Sequence, residues 1–395
     1  MQSPDQQPPR PELDRRERLI PAPLPQAELD DRQRLACLRL IRSENIGPVT
    51  FRELVNHFGG AEQALAALPD LNAKAGRPHA RICPKARAES ELEAAARLGA
   101  VALFTIEPGF PPALAAVEPP PPLLYVQGRR ELLTRPMVGI VGARNGSAAG
   151  QKLAGMLARD LGAAGFAVVS GLARGIDAAA HAAALPMGTV AVIAGGIGNV
   201  YPPENAELQA RIASEGAVVS ESPPGFVPRA QDFPRRNRLI SGMSLGIVIV
   251  EAARRSGSLI TARFAREQSR EVFVVPGHPL DPRAEGTNAL IKAGEVVTVT
   301  EAADIVAVLA PMLRQRETAT LAALAPRPAP TQSALPLGEG DRARVLEALG
   351  PAPVDVDTLA RATGLGPRAL QVALIELALA GRIERHGHQM VSRSA

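Results

Sequence analysis

A parallel α/β sheet with helices on both faces, flanked by a small helical unit and a winged-helix-like unit, is the fold class this sequence predicts. Three patterns predict it. Between residues 137 and 313, seven short apolar runs alternate with gaps long enough for a crossover helix. Before that stretch the apolar residues recur at helical spacing and stop at glycines. After it, a Pro/Ala/Gln-rich stretch leads into a helix, a helix-turn-helix and two short β-prone pieces, which is the winged-helix order.

The chain divides accordingly into a disordered arm (1–28), a helical SAM/helix-hairpin-helix-like domain (29–104), a Rossmann-like core (105–313), a linker (314–340) and a winged-helix-like domain (341–395). In the helical domain, Leu35, Leu38, Leu40 and Ile41 precede Asn45-Ile46-Gly47-Pro48, and Phe51, Leu54, Val55 and Phe58 follow. Gly60 is expected to end that second helix. Helix, glycine hairpin, helix is an outline whose hairpin N–H groups can hold a phosphate. The Pro-dense segment 111–125 reads as a stiff connector. Strands are expected at 137–141, 166–170, 189–194, 217–220, 246–250, 271–275 and 296–299. Ligands of such sheets bind at the carboxyl ends of the strands.

Bulk properties narrow the function classes. Net charge is +4, and 40 of the 44 basic residues are Arg; the isoelectric point is about 9.5. Clustering must therefore carry any argument for a nucleic-acid partner. Two cysteines without metal-type spacing make neither a disulfide scaffold nor a zinc site. The amino-terminal arm lacks an apolar signal core, and no long uncharged apolar run suggests a membrane span. A cytoplasmic protein with no membrane partner is the expectation. There is no Trp, and aromatic residues make up 3% of the chain, so each exposed ring counts.

The densest cluster is Phe233-Pro234-Arg235-Arg236-Asn237-Arg238, which opens a helix before the strand at 246–250. Guanidinium forks match phosphate oxygens, a helix start adds N–H groups, and Phe233 offers a face to a base. Two other strand ends carry matching features. The first continues as Gly142-Ala143-Arg144-Asn145-Gly146-Ser147, and the second as Ser170-Gly171-Leu172-Ala173-Arg174-Gly175-Ile176-Asp177. Gly257 and Ser258 begin a further helix after Glu251. Together, Arg144, Ser170, Gly171, Arg174, Phe233, Arg235, Arg236, Asn237, Arg238, Gly257 and Ser258 outline a basic groove along one sheet edge. The glycines at 139, 142 and 146 do not make GxGxxG, and no acid ends the second strand, so a dinucleotide oxidoreductase is disfavoured. Asp177 and His181, four apart, read as a helix cap and a hydrogen-bonded packing residue. The expected recognition helix, from 367 to 380, carries Arg368 as its one basic residue and two apolar stripes, so it is expected to pack on protein rather than read DNA.

The motifs IVGARNGSAAG (140–150), SGLARGIDAAAH (170–181), YPPEN (201–205), FPRRNRLISG (233–242), SGSLITA (256–262) and PGHP (276–279) resemble, in order and number, the DNA-processing protein A family (DprA, also called Smf). The resemblance runs from about 105 to 310. It implies a Rossmann-like, dimeric, non-catalytic single-stranded-DNA-binding protein without a cofactor or metal. Such a protein receives and protects incoming DNA in natural transformation and loads the RecA recombinase. It further implies that Arg144, Arg174 and the basic residues of FPRRNR touch phosphates, that Phe233 stacks or wedges, and that Ser170, Gly171, Gly257 and Ser258 supply backbone and hydroxyl contacts. One segment departs from the family: Ala194-Gly195-Gly196-Ile197-Gly198-Asn199 is similar to the PGGxGT loop of the related phosphoribohydrolases. That loop precedes a catalytic Glu by three residues, where this chain has Pro202. Nucleotide hydrolysis is the alternative function, with Glu251 as the candidate substitute carboxylate.

Overall fold

A computed structural model of the protein describes residues 28–323, 339–386 and 389–394. The expected arm, apart from residue 28, and most of the expected linker lie outside them. Four helices lead the chain: α1 (Asp31–Ile41), α2 (Pro48–Phe58), α3 (Ala61–Lys74) and α4 (Lys85–Arg97). Asp30 and Gln33 cap α1 reciprocally. Gly47 precedes Pro48, whose fixed φ suits the first helical position. It is Gly59 that ends α2, in the left-handed region at φ 78°, and Gly60 that starts α3. The expected terminator was one residue too late, because an αL cap belongs to the first residue past the last helical turn.

Two strands of the large sheet were not expected. Strand β1 (Ala100–Phe104) pairs antiparallel with β2 (Leu123–Gly128), and a single-turn α5 (Pro112–Ala115) lies between them. The end of the expected helical domain is thus part of the sheet, and the Pro-dense connector carries a helical turn and the start of a strand. The rest alternates: β3 (Met137–Val141), α6 (Ala148–Ala163), β4 (Ala167–Ser170), α7 (Ile176–Ala184), β5 (Thr189–Val192), α8 (Ala206–Glu215), β6 (Ala217–Ser220), α9 (Asp232–Met243), β7 (Gly246–Ile249), α10 (Gly257–Glu267), β8 (Glu271–Val274), α11 (Glu285–Ala293), β9 (Val297–Thr298) and α12 (Ala302–Ala323). All seven expected strands are present. The expected linker does not begin at 314, since α12 continues to Ala323.

The nine strands run in the order β1-β2-β6-β5-β4-β3-β7-β8-β9, parallel from β6 to β9. Strands buried on both faces are apolar throughout, as in Met137-Val138-Gly139-Ile140-Val141. Val138 and Ile140 join α6, α7 and α12 in one core, while Met137 and Val141 join α9 and α10 in another. Each fully buried Val or Leu contributes about 1.5–3 kcal/mol. The helices α1–α4 share a third core with β1, β2 and α8. Strand order reverses between β3 and β7, which opens a crevice at their carboxyl ends.

The last unit comprises α13 (Glu339–Glu347), β10 (Val354–Asp355), α14 (Val356–Thr363), α15 (Pro367–Leu379), β11 (Ile383–His386) and β12 (Met390–Arg393). Its three strands pair in the order β10-β12-β11, and it has its own core around Val345, Leu359, Leu370 and Leu374. This is a winged helix.

Candidate nucleic-acid interface

Two loops at the strand ends lie against each other because Gly175 has no side chain. Gly175 sits at φ 74°, and a Cβ there would stand 2.5 Å from the Ala143 carbonyl oxygen and 2.7 Å from that of Arg144. The Ile176 N–H then donates to the Ala143 carbonyl. Arg144, after β3, and Arg174, after β4, are thereby brought to one opening.

That opening is a cavity of about 200 Å³ lined by Arg144, Gly171, Arg174, Tyr201, Phe233 and Arg236, among others. The Arg144 guanidinium lies over the Phe233 ring, 5.8 Å from its centroid, a cation–π arrangement. The Tyr201 ring stands 5.1 Å from Phe233, tilted by 53°, and is half exposed. Arg174 pairs with Glu204 at 3.4 Å, both exposed. Two rings and two guanidinium groups around one opening offer π-faces and phosphate donors together.

The FPRRNR cluster does not act as one wall. At about 100° per residue, Arg235 and Arg238 point away from Phe233, while Arg236 and Asn237 flank it. Arg238 donates to both oxygens of Glu221 at 2.6 Å. Arg235 approaches the same carboxylate at 3.7 Å and stays exposed; it lines a neighbouring cavity with Arg42 and Glu221. Asn237 donates to the Gly257 carbonyl, tying α9 to α10. Arg236 is buried and donates to the carbonyls of Gly171, at 2.6 Å, and Val192. Its guanidinium forms the floor of the cavity and pins the ends of β4 and β5 together, in place of the freely exposed phosphate contact the cluster suggested.

Other expected contacts are spent within the fold. The Ser170 hydroxyl is fully buried and donates to the Ile140 carbonyl, so it reaches no ligand. The Gly171 N–H donates to Asp177 at 3.1 Å. Gly257 and Ser258 begin α10 beyond β7, away from the cavity lining, and the Ser258 hydroxyl bonds to that of Ser256. Asp177 accepts from Gly171 and Ala173 and so fixes the loop ahead of α7, whose N-cap is Gly175. Burial pushes its carboxyl up, and Arg236 pulls it back. The Thr189 hydroxyl donates to the Val168 carbonyl and accepts from His181 Nδ1 at 2.7 Å. Burial holds His181 down to about 3, so it is neutral. Among the described residues, no group of His, Cys, Asp and Glu is placed to hold a metal, and no helix is long and apolar enough to cross a membrane.

One functional feature escaped the sequence reading, and a second was given a different role there, that of a substitute catalytic carboxylate. Tyr201 opens the YPPEN motif, yet only the fold places it beside Phe233; being one of two tyrosines and next to Pro202-Pro203 was the available signal. The second is Glu251. At the β3/β7 crevice, where a dinucleotide fold holds phosphate on a helix start, Glu251 accepts from the Ser147 N–H at 2.8 Å and the Ser147 hydroxyl at 2.5 Å. Gly150 makes room, since a Cβ there would lie 2.6 Å from the carboxylate. The start of α6 is therefore capped by the chain's own anion. Glu251→Gln should cost about 1 kcal/mol of stability, read as a shift of the urea midpoint. An unchanged midpoint would mean that the carboxylate does not cap α6.

A parallel sheet with a basic, ring-lined cleft at its strand ends, and with Glu251 at the start of α6, defines a Rossmann-like α/β protein. A sequence model of the family described as DNA recombination-mediator protein A matches residues 102–310, and the chain belongs to that family. Two further models match, a DprA-like N-terminal HHH domain at 31–94 and a DprA winged helix domain at 321–388. Protein Smf of Escherichia coli K12 is 44% identical over 199 residues, or 50% of this chain and 53% of that protein; the match thus spans about half that relative's length. The X-ray structure of DNA processing protein A from Streptococcus pneumoniae is 32% identical, with a TM-score of 0.59 over 69% of this chain and 95% of the other. The Helicobacter pylori DNA processing protein A, described with a single-stranded DNA binding mode, is 30% identical, with a TM-score of 0.50 over 54% and 96%.

Proposed function

We propose that this chain is a non-catalytic single-stranded-DNA-binding protein of DNA processing, with the cleft between β3, β4 and β5 as its binding site. The observation that carries the proposal is the Arg144 guanidinium over the Phe233 ring, with Tyr201 beside it and Arg174 across the same opening. Phosphates pair with Arg144 and Arg174, and a base stacks on the exposed ring surface. Duplex DNA hides its base faces, so this chemistry favours single strands. Arg235, exposed on α9, extends the basic track towards the neighbouring cavity, half-buried Asn237 holds α9 to α10 beside it, and Arg236 and Gly171 shape its floor. The relative from Helicobacter pylori supports the choice of ligand. On family membership the proposal extends to a cytoplasmic homodimer that protects incoming DNA and loads RecA during transformation and recombination.

Fluorescence anisotropy with single-stranded and duplex oligonucleotides across a salt series tests the proposal. Affinity for the single strand should exceed that for duplex, and log K should fall with log salt by about 0.7 per phosphate neutralised. Equal affinities, or no salt dependence, would overturn it. The hydrolase alternative must now rely on Glu204, the carboxylate lining the cavity, because Glu251 is held by Ser147. Release of free base from nucleoside monophosphates in the same samples would decide for the alternative.

A further inference from the structure

The recognition helix of a winged helix that reads duplex DNA presents polar side chains to the major groove. Helix α15 is instead buried on two sides. Leu370, Leu374 and Leu377 enter the winged helix's own core. Ile375 and Leu379 enter the core of the N-terminal helices, alongside Leu54, Leu68 and Leu71 of α2 and α3. The contact has a polar component as well. Arg385 of β11 pairs with Glu53 of α2, and both side chains are more than nine-tenths buried. Asn45 Nδ2, in the hairpin between α1 and α2, donates to the Leu379 carbonyl at 3.0 Å.

The same contact engages the hairpin whose backbone was expected to be able to hold a phosphate. The Glu44 N–H donates to the Arg81 carbonyl, and the Glu44 carboxylate accepts from Arg77 and from the Arg81 N–H. Glu44 thus ties the start of the hairpin to the segment that follows α3. Asn45, at φ 61°, turns its amide to α15.

We infer that the winged helix is a protein-docking module whose partner is the α2–α3 face of this same chain, and that it takes no part in holding DNA. The apolar residues supply the adhesion, and the buried pair supplies the register. Burial holds the Arg385 guanidinium down to about 10. Among the described residues, Glu53 Oε2 and Arg385 Nε and Nη1 find no hydrogen-bond partner. A buried pair satisfied on one side only adds little net stability but strongly penalises the loss of either member. That asymmetry makes it a sensitive handle for the test.

Hydrogen exchange on the full chain provides the test. Glu53→Arg and Arg385→Glu should each speed amide exchange in α2 and α15 by at least tenfold, and the combined swap should restore protection. Exchange unchanged by either single substitution, or a double no better protected than the singles, would overturn the docking. Ile375→Ser is neutral and faces the N-terminal core rather than the winged helix's own, so it serves if charge reversal unfolds the unit. It should speed exchange in the same helices while affinity for a single-stranded oligonucleotide stays within threefold. A larger fall would overturn the claim that the winged helix takes no part in holding DNA. This second arm rests on the proposed function; if the unaltered chain does not bind single strands, that reading fails while the exchange arm still decides the docking.

Discussion

Phe233→Ala should weaken single-stranded DNA binding by about 1–3 kcal/mol, the worth of one base–aromatic stack, with the salt slope unchanged. Arg144→Ala should also weaken binding, by about 1.5–3 kcal/mol for a charged hydrogen bond, but should flatten the slope by about 0.7. The two signatures differ because a ring neutralises no phosphate. They are also coupled: Arg144 lies over the Phe233 ring, so the double variant should lose less than the sum of the singles. Anisotropy on the four proteins across salt separates these outcomes. Strictly additive losses, or a Phe233 variant with a flattened slope, would remove stacking from the site. A Tyr201→Ala variant provides an internal comparison, since the Tyr201 ring lies beside Phe233, 5.1 Å between centroids.

Much of the fold was legible because a parallel sheet writes itself in unbroken apolar runs. Ala167-Val168-Val169-Ser170 and Ala217-Val218-Val219-Ser220 are buried at every position, as are Met137–Val141, Thr189–Val192 and Gly246–Ile249. Strands β1 and β2 were hidden for two physical reasons. Ala100-Val101-Ala102-Leu103-Phe104 follows α4 with only Leu98 and Gly99 between them, so its apolar residues read as a continuation of the helical stretch. The prolines at 111, 112 and 119–122 also obscure the antiparallel pairing that brings β2 back.

The site divides in the same way. Arg144 and Arg174 sit at carboxyl ends of neighbouring strands, so topology alone brings them together. FPRRNR misled because sequence density ignores the helical period: Phe233 and Arg236 face the cavity while Arg238 is held by Glu221. The carboxylates that hold these arginines and helix starts are remote in sequence. Glu251 reaches Ser147 across 104 positions, Glu204 reaches Arg174 across 30, and Glu221 reaches Arg238 across 17. Pairings of that kind exist only in the folded chain.

Arg236 gives the largest expected effect on stability. Arg236→Ala should lower the unfolding free energy by about 3–5 kcal/mol at neutral pH, the cost of stranding a buried charge. Asp177 would be that charge. Burial already raises its carboxyl above the ordinary 3.8, and Arg236 is the largest influence lowering it; without the guanidinium it rises further. A carboxyl raised in the folded state penalises folding in full above its folded value; the penalty shrinks as the pH falls through that value and is gone below the unfolded one. The deficit of the variant should therefore be greatest at pH 7 and shrink as the pH is lowered towards 3.8. Urea titrations at several pH values measure it. Asp177→Asn keeps an oxygen for the N–H groups of Gly171 and Ala173 without the charge, so the double variant should recover part of the loss. A deficit independent of pH, or no recovery in the double, would mean that Arg236 acts through its carbonyl contacts alone. Those contacts, to Gly171 and Val192, set the cavity floor beneath Arg174. The double variant, refolded but lacking the clamp, should thus still bind DNA more weakly than the unaltered chain, separating what Arg236 does for stability from what it does for the shape of the cleft.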